Sequence, residues 1–360
     1  MRIDDIRTYR VSKPLKTKLP NSVYVIERME HVLVEIEAEG YVGIGYVYSI
    51  NAAHADALEV YIKDHASRMI GKDSDMIRDH LRIANIINSP SGPDGTPTCA
   101  YAALDMALWD LLAQKAKMPL YVMLGGRRKE VPVYASGGWL IPEDDLVAEA
   151  YNYKCQGYKV YKMKLGCKDF HEDLHRIKAI QEKCGPEFEI MVDVNQGWSA
   201  KKAVMIAPYL KELGITYLEE PVLAQGIRAH QILRDKSDIN ICAGESLSYI
   251  TELFELIRHD CVDMLNPDMM KCGGVTNYLQ VCLLADAYQI PVTSHIFTEF
   301  SAHVLAAIPN GTIVEYIPDW WDGIFDHRPN IKDGMILMDD TPGVGYKFDH
   351  DFIKDHLAKH

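Results

Sequence analysis

Apolar residues follow two different patterns along the chain, and the pattern changes near residue 130. The first part predicts strands followed by helices. Its strand patterns lie at 2–11, 31–38 and 41–48, and its helical patterns lie at 53–70, 74–88 and 98–117. Glu39-Gly40 is typical of a tight hairpin, whereas residues 13–27 carry Pro14 and Pro20 and predict a long polar loop. A strand meander followed by helices indicates an α+β domain.

The second part repeats a short apolar run and an amphipathic helix. Polar residues close the runs at intervals of 20 to 29 residues, which fits the βα unit of a (β/α) barrel. The predicted strands lie at 131–136, 159–164, 189–193, 215–219, 240–244, 262–266, 290–294 and 312–315. The predicted helices lie at 144–156, 170–184, 199–213, 226–235, 248–259, 274–288 and 300–308.

The residues that close these runs are the candidate site. In a barrel the C-terminal ends of all strands share one mouth, so residues that are distant in sequence should meet there. They are Lys164, Asp193, Glu219, Glu245, Asp268, His295 and Glu315. Lys162 lies two positions before Lys164 and therefore on the same face of its strand.

The lysine pair has two interpretations. Mutual repulsion between two ammonium groups near a low-dielectric site should lower the pKa of at least one of them, which would suit a base. Alternatively, Lys162 and Lys164 mark an edge strand that is protected against aggregation. The repeated polar strand ends that follow favour the first interpretation.

Three acids at successive strand ends predict a metal site. Carboxylate oxygens suit a hard cation such as Mg²⁺, and Asp193, Glu219 and Glu245 would supply them. The alternative is that each acid merely caps the helix that follows it. Asn195 lies on the same face as Asp193, and strand pleating should turn only one of Glu219 and Glu220 into the mouth.

Asp268 and His295 end adjacent predicted strands, so the carboxylate can accept the imidazole Nδ1 proton and leave Nε2 as the base. A lone histidine would more often be a core group. Glu315 has no cation within its own motif, so we expect a raised pKa and a protonated carboxyl that donates a hydrogen bond.

Two further motifs carry a family resemblance. They are the run Ala103-Leu104-Asp105-Met106-Ala107-Leu108-Trp109-Asp110 and the later Pro119-Leu120-Tyr121 with Leu124-Gly125-Gly126. Together with the strand-end residues, they resemble the enolase superfamily, mandelate racemase subgroup. The resemblance implies a modified TIM barrel, (β/α)7β, with an N-terminal α+β cap completed by the C-terminal segment. We expect the cap at 1–126, the barrel at 127–325 and the returning segment at 326–360.

The resemblance also implies roles for the strand-end residues. Asp193, Glu219 and Glu245 would bind one Mg²⁺, for which Mn²⁺ is a possible substitute. Lys164 and His295 would act as opposed bases on a proton next to a carboxylate, which is the chemistry of the superfamily. Lys162 would bind that carboxylate, Asp268 would orient His295, and Glu315 would assist the enediolate, while Lys271 supports the site.

Family members with these residues either dehydrate acid sugars or racemise 2-hydroxy acids. We expect dehydration to a 2-keto-3-deoxy acid, because Lys16, Lys18 and Asn21 make the 13–27 segment polar, and racemisation is the alternative. Trp320, Trp321 and Ile296 favour an apolar substrate group instead. The expected substrate-binding residues and segments are Lys162, Asn195, Ser136, Tyr46, Tyr48, Trp320 and the segment 319–322.

His171-Glu172-Asp173-Leu174-His175 matches the HExxH signature of zinc proteases. Phe170, Leu174, Ile177 and Ile180 form the core face of the predicted helix, which turns His171 and His175 to solvent. A third ligand is not apparent in the sequence. Zinc proteolysis through His171 and His175 is therefore the remote alternative.

The composition of the chain disfavours several classes of binding partner. A formal charge of −13 among 360 residues disfavours nucleic acid. The N-terminus lacks a signal-peptide core and no long apolar run exists, so we expect a cytoplasmic protein that does not bind membranes. The eight cysteines form no CxxC pair and should be reduced. We expect a homo-oligomer that acts on a small-molecule carboxylate.

Overall fold

The computed structural model describes residues 1–318, 320 and 323–358, except for the side chain of Ser91. Its N-terminal part is an antiparallel sheet of three strands in the order β1-β2-β3, followed by helices. The strands are β1 (Ile3–Pro20), β2 (Val25–Ala38) and β3 (Tyr41–Ile50). The helices are α1 (Ala55–Met69), α2 (Ile77–Asn88), a 3₁₀ turn (Ser89–Ser91), α3 (Thr96–Lys115) and α4 (Leu120–Met123).

The predicted loop at 13–27 is wrong. Strands β1 and β2 continue to pair within this segment, with Pro14 opposite Arg28 and, after a register shift, Leu19 opposite Ile26. Asn21 closes the hairpin, because its Oδ1 accepts hydrogen bonds from the backbone N–H groups of Val23 and Tyr24, both at 2.8 Å. The polar segment is therefore a long hairpin that reaches over the barrel.

Helix α3 lies against β3 at very close range. A Cβ at Gly45 would meet the carbonyl oxygen of Ala103 at 1.9 Å, and one at Gly43 would meet that of Ala107 at 2.2 Å. Alternate residues of a strand share a face, so these two glycines let the helix backbone approach the sheet. Other faces of α3 pack against α1 and α2, so the helix is apolar nearly all round and buried along most of its length.

The barrel follows the predicted repeat. Its strands are β4 (Glu130–Ser136), β5 (Val160–Lys164), β6 (Glu189–Asp193), β7 (Tyr217–Glu219), β8 (Asn240–Ala243), β9 (Met264–Leu265) and β10 (Val314–Tyr316). They pair in parallel, and β10 pairs with β4 to close the ring. The helices are α5 (Glu143–Cys155), α6 (Phe170–Cys184), α7 (Ala200–Glu212), α8 (Ile227–Lys236), α9 (Tyr249–Arg258), the short α10 (Met269–Cys272), α11 (Val275–Ala287) and α12 (Thr298–Ala307).

The predicted strand at 290–294 is not a regular strand. Its place in the ring is held by single parallel bridges from Val292 to Leu265 and to Gly311, and from His295 to Asp268. The ring thus still passes through this segment. The (β/α)7β architecture with a cap is confirmed.

The C-terminal segment contacts both parts of the molecule. Strands β11 (Ile331–Lys332) and β12 (Met335–Leu337) form a hairpin whose second strand pairs with β4. Helix α13 (His350–His356) follows, and beyond it the backbone N–H of Ala358 donates to Arg10 O on β1 at 2.9 Å. Through this contact the C-terminal segment reaches the cap, while the predicted domain boundaries stay a prediction. Among the described residues, no helix is long and apolar enough to cross a membrane.

Candidate active site

A cavity of about 510 Å³ lies between the barrel mouth and the cap. The hairpin tip contributes Asn21, Val23 and Tyr24, and β3 contributes Tyr48. The barrel contributes residues from the ends of several strands, including Lys164, Asn195, Glu220, Glu245, Ser246, Lys271, His295 and Glu315. The tip of the long hairpin therefore forms part of the cavity wall.

Three carboxylates meet beside this cavity, and one of them, Glu245, lines it. Asp193, Glu219 and Glu245 each offer an oxygen atom, and these atoms lie within 4.8 Å of one another. Strand register produces this convergence, because Lys164 pairs with Asp193 and Asp193 pairs with Glu219 on neighbouring strands. Burial raises the pKa of Glu219 well above its ordinary value; Lys162 opposes the shift, while Asp193 and Glu245 add to it.

Hydrogen-bond donors satisfy only part of the carboxylate cluster. Asn195 donates through its backbone N–H to Asp193 Oδ1 at 2.7 Å, and Asn266 Nδ2 donates to Glu219 Oε1 at 2.9 Å. Glu245 Oε2 is buried without a hydrogen-bond partner among the described residues. Buried, mutually repelling carboxylates with an unsatisfied oxygen fit a hard divalent cation such as Mg²⁺.

The two lysines have different surroundings. Lys162 is fully buried, and its Nζ lies 2.8 Å from Glu219 Oε1 and 2.9 Å from Glu315 Oε1. Lys164 lines the cavity and pairs with Asp193 Oδ2. The expected lowering of a lysine pKa is wrong for this charge arrangement: burial lowers both values, but the nearby carboxylates outweigh it and raise both pKa values.

His295 is held by Asp268 as predicted. The imidazole Nδ1 lies 2.6 Å from Asp268 Oδ2, and Asp268 Oδ1 accepts the backbone N–H of Lys271 at 2.8 Å. His295 Nε2 faces Glu245 Oε2 at 3.4 Å. Burial lowers the pKa of His295, but Glu245, Asp268 and Glu315 raise it to about 9. Cation binding to Glu245 would remove part of that shift.

The expected raised pKa of Glu315 is wrong. Burial alone would raise it, but the charges of Lys162, His295 and Lys164 lower the pKa of Glu315 to about 2. The sequence motif around Glu315 contains no cation; the fold brings Lys162 to it from the neighbouring side of the ring. Glu315 Oε2 accepts the backbone N–H of Ile296 at 2.9 Å, which further favours the ionised form.

Comparisons with known proteins address the family directly. Residues 5–125 match the mandelate racemase / muconate lactonizing enzyme N-terminal domain, and residues 145–352 match the enolase C-terminal domain-like family. The chain belongs to the mandelate racemase/muconate lactonizing enzyme family.

Relatives in this family carry different names. A 3,6-anhydro-alpha-L-galactonate cycloisomerase from Streptomyces coelicolor is 30% identical over 96% of this chain and 97% of its own length. An arabinonate dehydratase from Saccharolobus solfataricus is 29% identical over 99% of this chain and all of its own. A crystal structure of a racemase from Streptomyces coelicolor A3(2) with bound magnesium superposes with a TM-score of 0.95 at 29% identity, covering 99% of this chain and 100% of that one.

The predicted substrate residues differ in whether they line the cavity. Tyr48, Asn195 and Trp320 line the cavity. Ser136 lines instead an adjacent cavity of about 310 Å³, which shares Trp320 with the first cavity. Lys162 is covered by its carboxylate partners, so its contact with substrate stays a prediction. Tyr46 is buried and donates to Glu299 Oε2 at 2.7 Å. Asp319, Trp321 and Asp322 of the predicted segment lie outside the described residues.

Several cavity residues, among them Trp139 and Glu220, were missed by sequence reasoning. Trp139 stacks on Trp320 with ring centroids 5.9 Å apart, and Lys164 Nζ lies 5.3 Å from a Trp139 ring centroid. The signal in the sequence is that Trp139 lies just after β4, where strand ends face the barrel mouth. Glu220 also lines the cavity, contrary to the pleat argument. Strand β7 ends at Glu219, and the backbone of Glu220 is left-handed (φ 36°), so the pleat no longer directs its side chain.

The HExxH histidines lie on α6, away from the mouth. Both are exposed, and His175 Nδ1 lies 2.6 Å from Glu143 Oε2. Among the described residues, the group with metal-ligand geometry is Asp193, Glu219 and Glu245, with no histidine in it. The zinc-protease alternative has no support from this geometry.

Proposed function

We propose that the protein abstracts the proton next to a substrate carboxylate in a Mg²⁺-dependent reaction and that it dehydrates an acid sugar. The observation that carries this proposal is the buried cluster of Asp193, Glu219 and Glu245, with Lys164 on the Asp193 side and His295 on the Glu245 side. Magnesium, when bound by these three residues, supplies the positive charge that stabilises an enediolate.

The chain's own groups account for the proton transfers. Lys164 and His295 both line the cavity at opposite ends of the carboxylate cluster, so each can serve one face of a substrate carbon. Lys164, in its unprotonated form, accepts the α-proton. His295 then donates a proton to the departing β-hydroxyl, the C–O bond breaks, and water leaves. The resulting enol tautomerises to the 2-keto-3-deoxy acid. Asp268 holds the imidazole in the orientation that both transfers need.

Lys162 and Glu315 form a buried ion pair next to the carboxylate cluster. Lys162 binds Glu219 and Glu315 at the same time, and this fixes both carboxylates. Glu315 also lines the cavity wall. We therefore assign Lys162 to stabilisation of the enediolate through its positive charge in a water-poor site, and the ionised Glu315 to holding Lys162 in place.

Racemisation of a 2-hydroxy acid is the second candidate. The specific observation in its favour is the pair of candidate bases at opposite ends of the cluster, because racemisation needs one base on each face. The stacked Trp139 and Trp320 also offer an apolar wall. Polar wall groups such as Asn21, Asn195 and Ser246 favour the polyhydroxylated substrate of a dehydratase.

A substrate screen with metal removal tests the proposal. Purified protein with Mg²⁺ is incubated with a library of acid sugars and aryl 2-hydroxy acids, and 2-keto acid and enantiomer interconversion are both measured. We expect keto acid from at least one acid sugar, and loss of that activity after chelation. Activity that survives exhaustive chelation would overturn the metal assignment.

Ligand variants separate the metal site from the fold. Asp193→Asn, Glu219→Gln and Glu245→Gln should each lower activity by about 100-fold or more and should weaken Mg²⁺ binding, measured by calorimetry. Their circular dichroism should match the parent protein. The exposed Asp144→Asn variant on α5 is the matched control and should keep full activity.

We also propose that the protein acts in the cytoplasm as a homo-oligomer on a small-molecule carboxylate. All eight cysteines are free thiols, which is typical of a reducing compartment. Exposed apolar residues Val23, Tyr24 and Leu223 surround the cavity entrance and offer a surface for a second copy. Light scattering coupled to gel filtration measures the oligomeric state, and a monomer at working concentration would contradict this part.

A further inference from the structure

Glu220 belongs to a hydrogen-bond network whose donors are all fixed. Gln196 Oε1 accepts the backbone N–H of Ala224 at 2.8 Å. A backbone N–H can only donate, so this contact sets the orientation of the amide and turns Gln196 Nε2 toward Ser246 and Glu220. Nε2 lies 2.8 Å from Ser246 Oγ and 3.3 Å from Glu220 Oε2.

The same network assigns the hydroxyl proton of Ser246. Because Ser246 Oγ accepts from Gln196, its own proton is directed to Glu220 Oε2 at 2.9 Å. Glu220 Oε2 therefore receives two donors. Glu220 Oε1, in contrast, is buried without a hydrogen-bond partner among the described residues, although Glu220 is 1% exposed and lines the cavity.

Backbone strain accompanies this arrangement. Asn195, Gln196 and Glu220 are all left-handed, with φ values of 45°, 65° and 36°. The backbone N–H of Gln196 donates to Glu220 O at 2.7 Å and ties the two strand ends together. Left-handed non-glycine residues and an unsatisfied buried acceptor both cost free energy. A ligand group that donates to Oε1 would offset the second cost.

The chemistry of the wall selects the kind of group. Glu220 stands beside a cluster of carboxylates, which excludes a second anion at Oε1. An apolar group would leave the acceptor unsatisfied. A hydroxyl donates to a carboxylate and can accept from the ammonium group of Lys271, which lines the same cavity.

We propose that Glu220, positioned by Ser246 and Gln196, is a hydroxyl-binding subsite that selects polyhydroxylated acids over acids with an apolar side group. This inference rests on the proposed function, because it takes the three-carboxylate cluster as the place where the reacting end of the acid binds. Glu220 is a specificity residue in this assignment and takes no part in the proton transfers. Glu220 directly follows Glu219 at the end of β7, and Ser246 directly follows Glu245 in the segment after β8.

Binding selectivity tests the subsite without requiring turnover. The affinities of D-gluconate, galactarate and mandelate are measured by calorimetry with saturating Mg²⁺, in a His295→Asn background so that bound acids are not consumed. Glu220→Leu should weaken gluconate and galactarate binding by about 10-fold or more, as expected for a lost hydrogen bond to a charged group. Mandelate affinity should stay within about two-fold, since that acid has no distal hydroxyl to lose.

Further variants separate a subsite from a structural role. Ser246→Ala should reproduce the selective loss of sugar-acid affinity more weakly. If Glu220→Leu does not fold, the Ser246→Ala variant replaces it in the binding measurements. Glu187→Leu, at an exposed position before β6, is the matched control and should change no affinity. Mg²⁺ affinity should be unchanged in Glu220→Leu, because Glu220 is not one of the three ligands.

Three results would overturn the proposal. They are an equal loss for mandelate and the sugar acids, no loss for either, or a parent protein that binds neither sugar acid more tightly than mandelate. The proposed function fails separately, through the absence of 2-keto acid in the substrate screen. Selective binding without keto product would therefore keep the subsite and reject dehydration.

Discussion

Lys162 and Lys164 show how strongly the surroundings of a residue decide its role. They are two positions apart on β5 and share a face, yet Lys162 has no exposed surface whereas Lys164 lines the cavity. Lys162 neutralises Glu219 and Glu315 at once, so removal of its charge would leave two buried carboxylates without their partner. Lys164 pairs with Asp193 alone among the metal-type ligands. Only Lys164 is placed to reach a substrate directly.

Variants that lack one or the other candidate base should differ in which face of the substrate still exchanges its α-proton. In D₂O, Lys164→Ala and His295→Asn should each retain exchange of the α-proton on one face of the substrate, because the other base remains. Nuclear magnetic resonance of each enantiomer of a 2-hydroxy acid measures this exchange. If both variants exchange both enantiomers at the parent rate, the assignment of opposed bases has to be abandoned.

Asp268 and His295 should behave as one unit. Asp268 acts on the reaction through the imidazole that it holds at 2.6 Å, so the second substitution should cost little after the first. We expect Asp268→Asn, His295→Asn and the double variant to lose similar activity, within about ten-fold of one another. Initial rates on the best substrate from the screen give this comparison. Losses that multiply would show that the residues act independently.

At the scale of elements, the contact between β3 and α3 is the tightest constraint in the cap. Gly45 allows this contact because it has no Cβ, and Gly45→Ala would place a methyl group against the Ala103 carbonyl. We expect the variant to lower the free energy of unfolding by about 1–3 kcal/mol, the usual cost of overpacking.

Chemical denaturation of the parent and the variant measures this loss. Val42→Ala is the control, since Val42 lies on the same strand with an exposed side chain and should change stability by only about 0.5 kcal/mol. If Gly45→Ala is as stable as the parent protein, the close approach of the two elements does not limit the cap.

At the scale of the whole molecule, Asp110 joins three parts of the chain. It lies on α3, and its Oδ2 accepts the backbone N–H of Ile44 on β3 at 3.0 Å. Its Oδ1 accepts the backbone N–H of Val344 in the C-terminal segment at 2.9 Å. Both oxygens are thus used as acceptors at a buried junction between the cap and the returning segment.

Asp110→Asn should loosen this junction. An amide offers one acceptor oxygen, so its NH₂ group would face a backbone N–H and leave a buried donor unsatisfied. We expect a loss of about 1–3 kcal/mol in unfolding free energy and faster proteolysis after residue 326. Mass spectrometry of limited digests locates the cleavage. Asp144→Asn should digest like the parent, and an unchanged digest of Asp110→Asn would contradict the role given to Asp110.

The sequence by itself determined the barrel repeat and the carboxylate cluster. Local periodicity defines each βα unit, and barrel topology brings the ends of parallel strands to one mouth, so spacing places Asp193 and Glu245 together with one of Glu219 and Glu220. The family resemblance selects Glu219. The pairing of Asp268 with His295 follows from the same rule.

Tertiary structure decided those properties of the site that depend on distances across the barrel or on the backbone angles of single residues. Lys162 reaches Glu315 from a strand far away in sequence, so the lowered pKa of that carboxyl has no signal in its own motif. Glu220 enters the cavity because one left-handed residue ends the pleat of β7. The segment at 13–27 pairs as a hairpin because cross-strand hydrogen bonds, which its composition does not reveal, continue through it. Charge balance and side-chain direction are properties of the assembled site, since each depends on neighbours that only folding supplies.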